Sequence, residues 1–248
     1  MDLKKEDQWF KKADTFRQGS DMEIAYLDSI IALNPNYDNA WWEKSTWFIK
    51  KGDYINYFKY MNKAVELNPK VHIGWRGVVR LYYLRDYRGA INDLNTLIDF
   101  YPDQKGIAAR GEPVLFLLGK IYWQMKEYNT AIEYFDRYIK EETEASGKEW
   151  ADINTFLYKG ICLYQLGEYK NALESFENAI GFSKRFPEAY FHAGKTLLKL
   201  DKNIQACDYF LKAKQYANEG YIRMDEYREV FGQLHYDDIV LAIQENCQ

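Results

Sequence analysis

Residues 119–135 read GKIYWQMKEYNTAIEYF, and residues 160–176 read GICLYQLGEYKNALESF. The two stretches align without a gap and share glycine, tyrosine, alanine and phenylalanine at the same positions, at a spacing of 41 residues. Self-similarity over tens of residues is typical of repeat architectures, in which each repeat is one supersecondary unit. We therefore expect an array of such units.

Further copies extend the array in both directions. Gly194, Ala206 and Phe210 follow 34 residues after the second copy, and the ending Leu-Asn-Pro occurs at 33–35 and again at 67–69. Apolar residues within each copy recur at i, i+3, i+4 and i+7, which predicts two amphipathic helices per repeat. A single helix pair cannot bury its apolar face alone, so the pairs are expected to stack.

These residues resemble the tetratricopeptide repeat (TPR) family in two well-matched units. One unit carries Trp41, Ser45, Phe48, Gly52, Tyr54, Ala64 and Pro69, and another carries Phe156, Gly160, Gly167, Tyr169, Ala172, Phe176 and Ala179. The resemblance covers about residues 5–217. It implies an all-α fold, a right-handed α-solenoid of about six helix pairs with C-terminal capping helices.

The predicted organisation is a single superhelical domain over residues 1–248. Its repeats are expected at residues 5–36, 37–70, 71–103, 112–148, 153–186 and 187–217, followed by a cap over 221–246. The first repeat retains little of the pattern, and its inter-helix turn is predicted to be shortened. A spacing of 41 residues exceeds the 34-residue spacing seen elsewhere in the chain by seven residues. The stretches 103–113 and 141–149 hold such extra residues, and we expect them to form longer loops or extended helices. The stretches 225–234 and 236–243 are predicted as amphipathic helices of the cap.

Composition excludes several classes of protein. The formal charge of −4 and the pI of about 5.6 argue against a nucleic-acid binder, which needs clustered positive charge. No apolar run reaches the ~18 residues needed to span a bilayer, and the charged N-terminus lacks a signal-peptide core. We therefore expect a cytoplasmic protein without membrane insertion. Cys162, Cys207 and Cys247 form no Cys-x-x-Cys pair, which favours incidental thiols over a zinc site or a disulfide framework.

No motif indicates catalysis, so we expect no enzyme and no cofactor or metal. Residues 189–196 loosely match a phosphate-binding loop, but they lie inside a predicted helix, where Gly194 occupies the repeat position of Gly160. The histidines, His72, His192 and His235, are far apart in the sequence. A catalytic carboxylate pair would leave no local signature, so that class stays open.

The resemblance also implies a concave groove lined by the first helix of each pair, helix A. Carried over by register, the groove positions hold Trp42, Thr46, Ile49, Arg76, Arg80, Tyr83, Phe116, Lys120, Trp123, Tyr158, Ile161, Tyr164, Phe191, Lys195 and Lys199. The set is aromatic and basic, which suits an acidic or carboxylate-bearing peptide. The alternative is that these are ordinary amphipathic positions, with half of the rings packed against the next repeat.

Three functions follow from this pattern. The leading hypothesis is a non-catalytic adaptor that grips a protein or peptide segment, without nucleic acid as a partner. The second is a structural assembly subunit, a weak homo-oligomer that associates through its ends or convex face, for which exposed rings such as Tyr57, Tyr60 and Tyr101 would serve. The third is a small-ligand binder or enzyme on a helical scaffold.

Overall fold

The computed structural model describes residues 4–147, 152–225 and 228–247. The chain divides into two compact units, with the division between Pro102 and Asp103. The first unit holds three helix pairs: α1 Lys5–Ala13, α2 Asp21–Leu33, α3 Asp38–Lys50, α4 Tyr54–Leu67, α5 Pro69–Val79 and α6 Tyr87–Asp99. A π-helical turn, Arg80–Leu84, continues α5.

The second unit opens with a short antiparallel hairpin and continues with helices. Its strands pair Ala108 with Pro113 and Ala109 with Glu112. The elements are β1 Ala108–Ala109, β2 Glu112–Pro113, α7 Val114–Gln124, α8 Tyr128–Ser146, α9 Ile153–Gln165, α10 Tyr169–Phe182, α11 Pro187–Lys199, α12 Asn203–Asn218 and α13 Tyr236–Asn246. The prediction of an all-α architecture built of helix pairs is confirmed.

The turns between paired helices share one backbone device. In five pairs the chain takes a left-handed residue between the helices, at Gly52, Arg85, Lys126, Gly167 and Asp201. Only glycine adopts this conformation without steric cost. The regular turn is therefore set by the stacking of the helices, and glycine is not required in each copy.

The recurring glycine of helix A packs against an aromatic ring of its partner helix. A Cβ at Gly160 would lie 2.5 Å from the Phe176 ring, and one at Gly194 would lie 2.6 Å from Phe210. Gly119 meets Phe135 in the same way, and all three rings are fully buried. This Gly–Phe slot explains why the two residues recur together in the sequence.

Three predictions about the ends and junctions of the array are wrong. The first turn is longer than the others, since residues 14–20 join α1 to α2 while residues 51–53 join α3 to α4, and it is α1 that is short. The described residues of 225–234 form no helix, although residues 236–246 do. Cys207 and Cys247 are joined by a disulfide across 40 residues, because α13 packs back onto α12.

The longer spacings have different structural origins. The stretch 103–113 forms a loop and the short hairpin, whereas at 141–149 helix α8 extends to Ser146. Residues 148–149 lie outside the described part of the chain.

The prediction that Tyr57 is exposed is wrong as well, since its ring is 1% exposed in the core of the first unit. Tyr60 and Tyr101 are half-buried. That the whole chain forms one domain stays a prediction.

Candidate peptide-binding site

In the first unit, the predicted groove tryptophan packs against the next helix A. Trp42 of α3 makes an edge contact with Trp75 of α5, with ring centroids 5.2 Å apart, and stacks on His72. His72 Nε2 lies 2.9 Å from a carboxylate oxygen of Asp38. Burial lowers the pKa of His72, and Asp38 acts in the opposite direction. Trp42 therefore stabilises the stack of helices.

The other uncharged positions of this unit are half-buried. Thr46 accepts a hydrogen bond of 2.7 Å from the Gln18 side chain. The ring of Tyr83, in the π-helical turn, lies 6.4 Å from that of Tyr54. Ile49 also lies partly in solvent. These positions leave room for contact with a ligand.

The two predicted groove arginines are bound to an aspartate inside the unit. Arg76 donates from Nε and Nη2 to the two carboxylate oxygens of Asp93, at 2.9 and 2.7 Å, and from Nη1 to Asn62. Arg80 Nη1 lies 3.3 Å from the same carboxylate and donates to the Gly89 carbonyl. Asp93 is 0% exposed. An acidic ligand at these arginines would have to displace Asp93.

Asp93 and Leu94 of α6 both lie beside Gly77 in the third pair. A Cβ at Gly77 would lie 3.2 Å from the Asp93 Cβ and 3.3 Å from the Leu94 Cγ. Leu94 follows Ala90 by four residues, as Phe135 follows Ala131, so the third pair has leucine at the phenylalanine position and an ion-paired carboxylate next to it. This signal was present in the sequence, because an acid at a core position requires a cationic partner.

In the second unit, several predicted groove residues form one aromatic cluster. Phe116 of α7 and Tyr158 of α9 have ring centroids 5.8 Å apart, and Trp123 lies 4.8 Å from Tyr158. Phe116 and Tyr158 are buried, and Trp123 is half-buried. We call the side of α7, α9 and α11 that carries these rings the helix-A face of the second unit.

Part of this face is covered by a non-helical segment of the same chain. This C-terminal arm comprises residues 221–225 and 228–235. The Tyr158 hydroxyl donates a buried hydrogen bond of 2.8 Å to the Phe231 carbonyl. Phe231 and Leu234 are 2% and 3% exposed. Gly232 adjoins Trp123 so closely that a Cβ there would lie 2.9 Å from the indole ring.

An arginine of the arm binds the N-terminal ends of α9 and α11. The Arg223 amide donates to Glu188 Oε1 at 2.8 Å, and its guanidinium donates to Asn154 Oδ1 at 2.9 Å. The guanidinium also lies over the rings of Tyr158 and Phe186, 5.5 and 5.7 Å from their centroids. Glu188 is 1% exposed, so Arg223 compensates a carboxylate removed from water.

A second arginine of the arm shares an acid with a predicted groove lysine. Glu112 accepts from Lys120 Nζ at 2.8 Å and also pairs with Arg228. Burial lowers the pKa of Lys120, and the negative charge of Glu112 opposes that shift. Lys120 is 6% exposed. It is therefore bound beneath the arm, and the acid beside it, Glu112, was absent from the predicted set.

The remaining groove positions lie toward the other end of α9 and α11. Lys195 Nζ lies 5.7 Å from the ring centroids of both Tyr164 and Phe191. Lys199 is exposed, Tyr164 is half-buried, and Ile161 and Phe191 are buried. We call Tyr164, Lys195 and Lys199 the basic edge. It keeps the aromatic and positive character that the register predicted.

The described residues offer little for chemistry. Residues 189–196, the loose phosphate-loop match, lie within α11. Among the residues that the structure describes, no three histidine, cysteine or acidic side chains converge as a metal site. Within the same residues, no helix has the length and apolar character to cross a bilayer.

Sequence reasoning missed the arm and the acids that bind it. The sequence predicts a capping helix over 225–234, and Gly232 is the one residue in that stretch that argues against a helix. Glu112 and Glu188 lie outside the helix-A positions that the register assigns to a groove. No local pattern links them to arginines about 35 and 116 residues away.

Models of the repeat family match the second unit of the chain. A TPR repeat model matches residues 162–201, and a tetratricopeptide repeat model matches residues 112–142 and 187–219. A TPR repeat-containing protein of Methanocaldococcus jannaschii is 26% identical over 193 residues, which cover 69% of this chain and 32% of that protein. The chain thus spans about a third of the length of this relative.

Solved structures share the fold at low identity. Pseudomonas aeruginosa PilF superposes with a TM-score of 0.63 and 15% identity, covering 95% of this chain and 96% of PilF. YrrB, described as a TPR protein with an unusual peptide-binding site, has a TM-score of 0.59 and 16% identity, covering 78% of this chain and 93% of YrrB. A MamA fragment from Desulfovibrio magneticus has a TM-score of 0.61 and 13% identity, covering 73% of this chain and 96% of the fragment.

Proposed function

We propose that the chain is a tetratricopeptide-repeat protein and that it is a non-catalytic scaffold that binds a segment of another protein. The proposed binding surface is the helix-A face of the second unit. One observation carries the proposal: a non-helical stretch of the chain, the C-terminal arm, already lies on this face and is bound through its main chain at Phe231 and Arg223. A surface that binds a non-helical segment of its own chain in this way has the chemistry to bind another.

The basic edge gives the partner a preferred charge. Lys195 and Lys199 point to an acidic or carboxylate-bearing stretch in the partner, and the ring of Tyr164 adds contact area at small entropic cost. Arg76 and Arg80 add less to such binding, because both already pair with Asp93 and Arg80 also pairs with Asp86. The proposed acidic contact is therefore at Lys195 and Lys199.

Charge reversal on the basic edge tests the proposal. Lys195→Glu with Lys199→Glu should reduce capture of partner proteins from a lysate of the source organism by about tenfold. The matched control is Lys140→Glu with Lys170→Glu, two exposed lysines on α8 and α10 with the same change in charge. We expect the control pair to capture as the wild type does. Equal capture by both double variants would contradict the proposal.

The described geometry does not favour self-association through Tyr57, because the ring is buried. The assembly function therefore rests on no specific contact within residues 4–147, 152–225 and 228–247. We do not propose it as a second function.

A further inference from the structure

The interface beneath the C-terminal arm differs in chemistry from the cores of the helix pairs. The pairs of the second unit meet through apolar contacts such as Gly160 with Phe176. The arm adds ion pairs and main-chain hydrogen bonds to its apolar contacts, with Arg223 at Glu188 and Arg228 at Glu112. Interfaces that form and separate are typically more polar than permanent cores. The arm therefore has the character of a bound ligand.

Glu188 is the most buried charged group in this polar interface. It is 1% exposed, one of its oxygens accepts from the Arg223 amide, and its other oxygen, Oε2, is buried without a hydrogen bond. A carboxylate in that state is stable only while a cation covers it. Departure of the arm would return Glu188 to water. The face therefore carries a carboxylate, Glu188, that needs a positively charged group of whatever segment is bound there.

The apolar contacts of the arm define a second requirement. Phe231 and Leu234 are 2% and 3% exposed, and the Phe231 carbonyl accepts a hydrogen bond from the Tyr158 hydroxyl on the face. The Gln233 side chain donates to the carbonyls of Arg223 and Leu234, at 2.9 Å each, and so ties the two ends of the arm together. The arm binds as a folded-back loop with one arginine and one aromatic residue in fixed positions.

We propose that the helix-A face is a binding site for a protein segment that carries an arginine and a nearby buried aromatic residue. In the isolated chain the C-terminal arm occupies this site, and a partner segment of the same chemistry displaces it. This inference rests on the proposed scaffold function and adds the chemistry of the partner's contact at Glu188, Asn154 and Tyr158. The acidic stretch at the basic edge is a separate contact.

The arm is tethered at both ends, since α13 follows it and is joined to α12 by the Cys207–Cys247 disulfide. It follows α12 through Gly220, which has a positive φ of 86°, so a turn suited to glycine joins the arm to the last repeat helix. A tethered segment competes at an effective concentration of roughly millimolar. A free partner segment competes with this tethered arm for the face. If the partner binds the free face with micromolar affinity, it displaces the arm only when the arm's own contacts with the face are weak.

The test uses a labelled synthetic peptide with the sequence of residues 221–235 and the full-length chain. The chain is prepared as wild type and as Arg223→Ala with Phe231→Ala, which weakens the resident arm. We expect the double variant to bind the peptide at least about tenfold more tightly than the wild type, measured by fluorescence anisotropy. A control peptide that carries the same two alanines should not bind either chain.

A second measurement covers the case in which the double variant loses its helices, as judged by circular dichroism. Excess peptide added to the wild-type chain should speed hydrogen exchange at the Arg223 and Gln233 amides of the arm. No peptide binding by a folded double variant, or no change in exchange on the wild type, would overturn the inference. Either result leaves the Lys195 and Lys199 capture experiment unchanged, so the two failures are distinguishable.

Discussion

The two units pair the charges beside their A helices in different ways. In the first, Arg76 and Arg80 bind Asp93, a fully buried residue of α6 in the slot between paired helices. In the second, the acids beside helix A, Glu112 and Glu188, bind arginines of the C-terminal arm. The first arrangement belongs to the core of its helix pair, whereas the second depends on a segment outside the repeats.

The comparison teaches that repeat register and local environment are separate properties. Arg76 and Lys120 were assigned to the same groove by register, yet one binds an acid of its own helix pair and the other lies under the arm with Glu112. Positive charge at a helix-A position therefore indicates a ligand only where no acid of the fold already binds it. Lys195 and Lys199 stay the strongest such positions.

Removing the buried acid of the first unit should have the largest effect. Asp93→Ala leaves two arginines without their carboxylate, so we expect the free energy of unfolding to fall by about 3–5 kcal/mol. Urea titration followed by tryptophan fluorescence measures it, since most tryptophans lie in this unit. Asn62→Ala, the control, removes one exposed hydrogen bond to Arg76 and should cost about 0.5–1.5 kcal/mol. A loss below that of the control would contradict the ion-pair account.

Breaking the cross-link of the second unit should have the next largest effect. Cys247→Ser opens the disulfide with Cys207, and we expect the second unit to lose about 2–4 kcal/mol of stability in a denaturant titration by circular dichroism. Cys207→Ser combined with Cys247→Ser should lose no more than the single variant. The first unit has no cysteine, so its transition should stay in place. Unchanged stability of the second unit after both substitution and reduction would refute the cross-link.

The glycine slots should respond to a methyl group in a graded order. Gly160→Ala places a Cβ 2.5 Å from the Phe176 ring and should cost about 1–3 kcal/mol. Gly77→Ala, with 3.2 Å to the Asp93 Cβ, should cost less. Gly181→Ala is the control, because nothing lies near its Cβ, and it should stabilise α10 by up to about 1 kcal/mol. Thermal melts that rank the three variants otherwise would show that the slots differ from this description.

The smallest expected effect is a pH dependence in the second unit. Burial, with Lys195 and Arg223 nearby, lowers the pKa of His192 from 6.5 to about 3. The unfolded chain therefore binds a proton below pH 6.5 that the folded chain does not, so stability falls as the pH drops from 6.5 toward 3. His192→Gln should reduce the stability lost between pH 7 and 5 by up to about 2 kcal/mol. Identical pH profiles for the variant and the wild type would contradict this.

The sequence predicted the helix pairs well because their signals are local. Glycine, alanine and phenylalanine recur at fixed spacing, and this spacing is a direct consequence of packing within each pair. The register also predicted the ring cluster of Phe116, Trp123 and Tyr158, but it placed those rings in an open groove. The ring contacts follow from helix spacing, whereas burial depends on what covers them.

The arm and the disulfide depend on contacts between distant parts of the chain. Phe231 meets Tyr158 across 73 residues, and neither residue carries a pattern that specifies the other. The apolar spacing of 225–234 fits a helix by period alone, and tertiary contacts with the helix-A face decide otherwise. Asp93 was the exception, since its core register could have revealed the pairing with Arg76.

Native-state hydrogen exchange on the wild-type chain tests the central claim most directly. The account holds that the arm is a detachable occupant of the helix-A face, so the hydrogen-bonded amides of Arg223 and Gln233 should exchange through local opening. We expect their opening free energy to lie at least about 2 kcal/mol below that of the α9 and α11 amides. Exchange of the arm and these helices at the same free energy would show that the arm is part of the core and contradict the account.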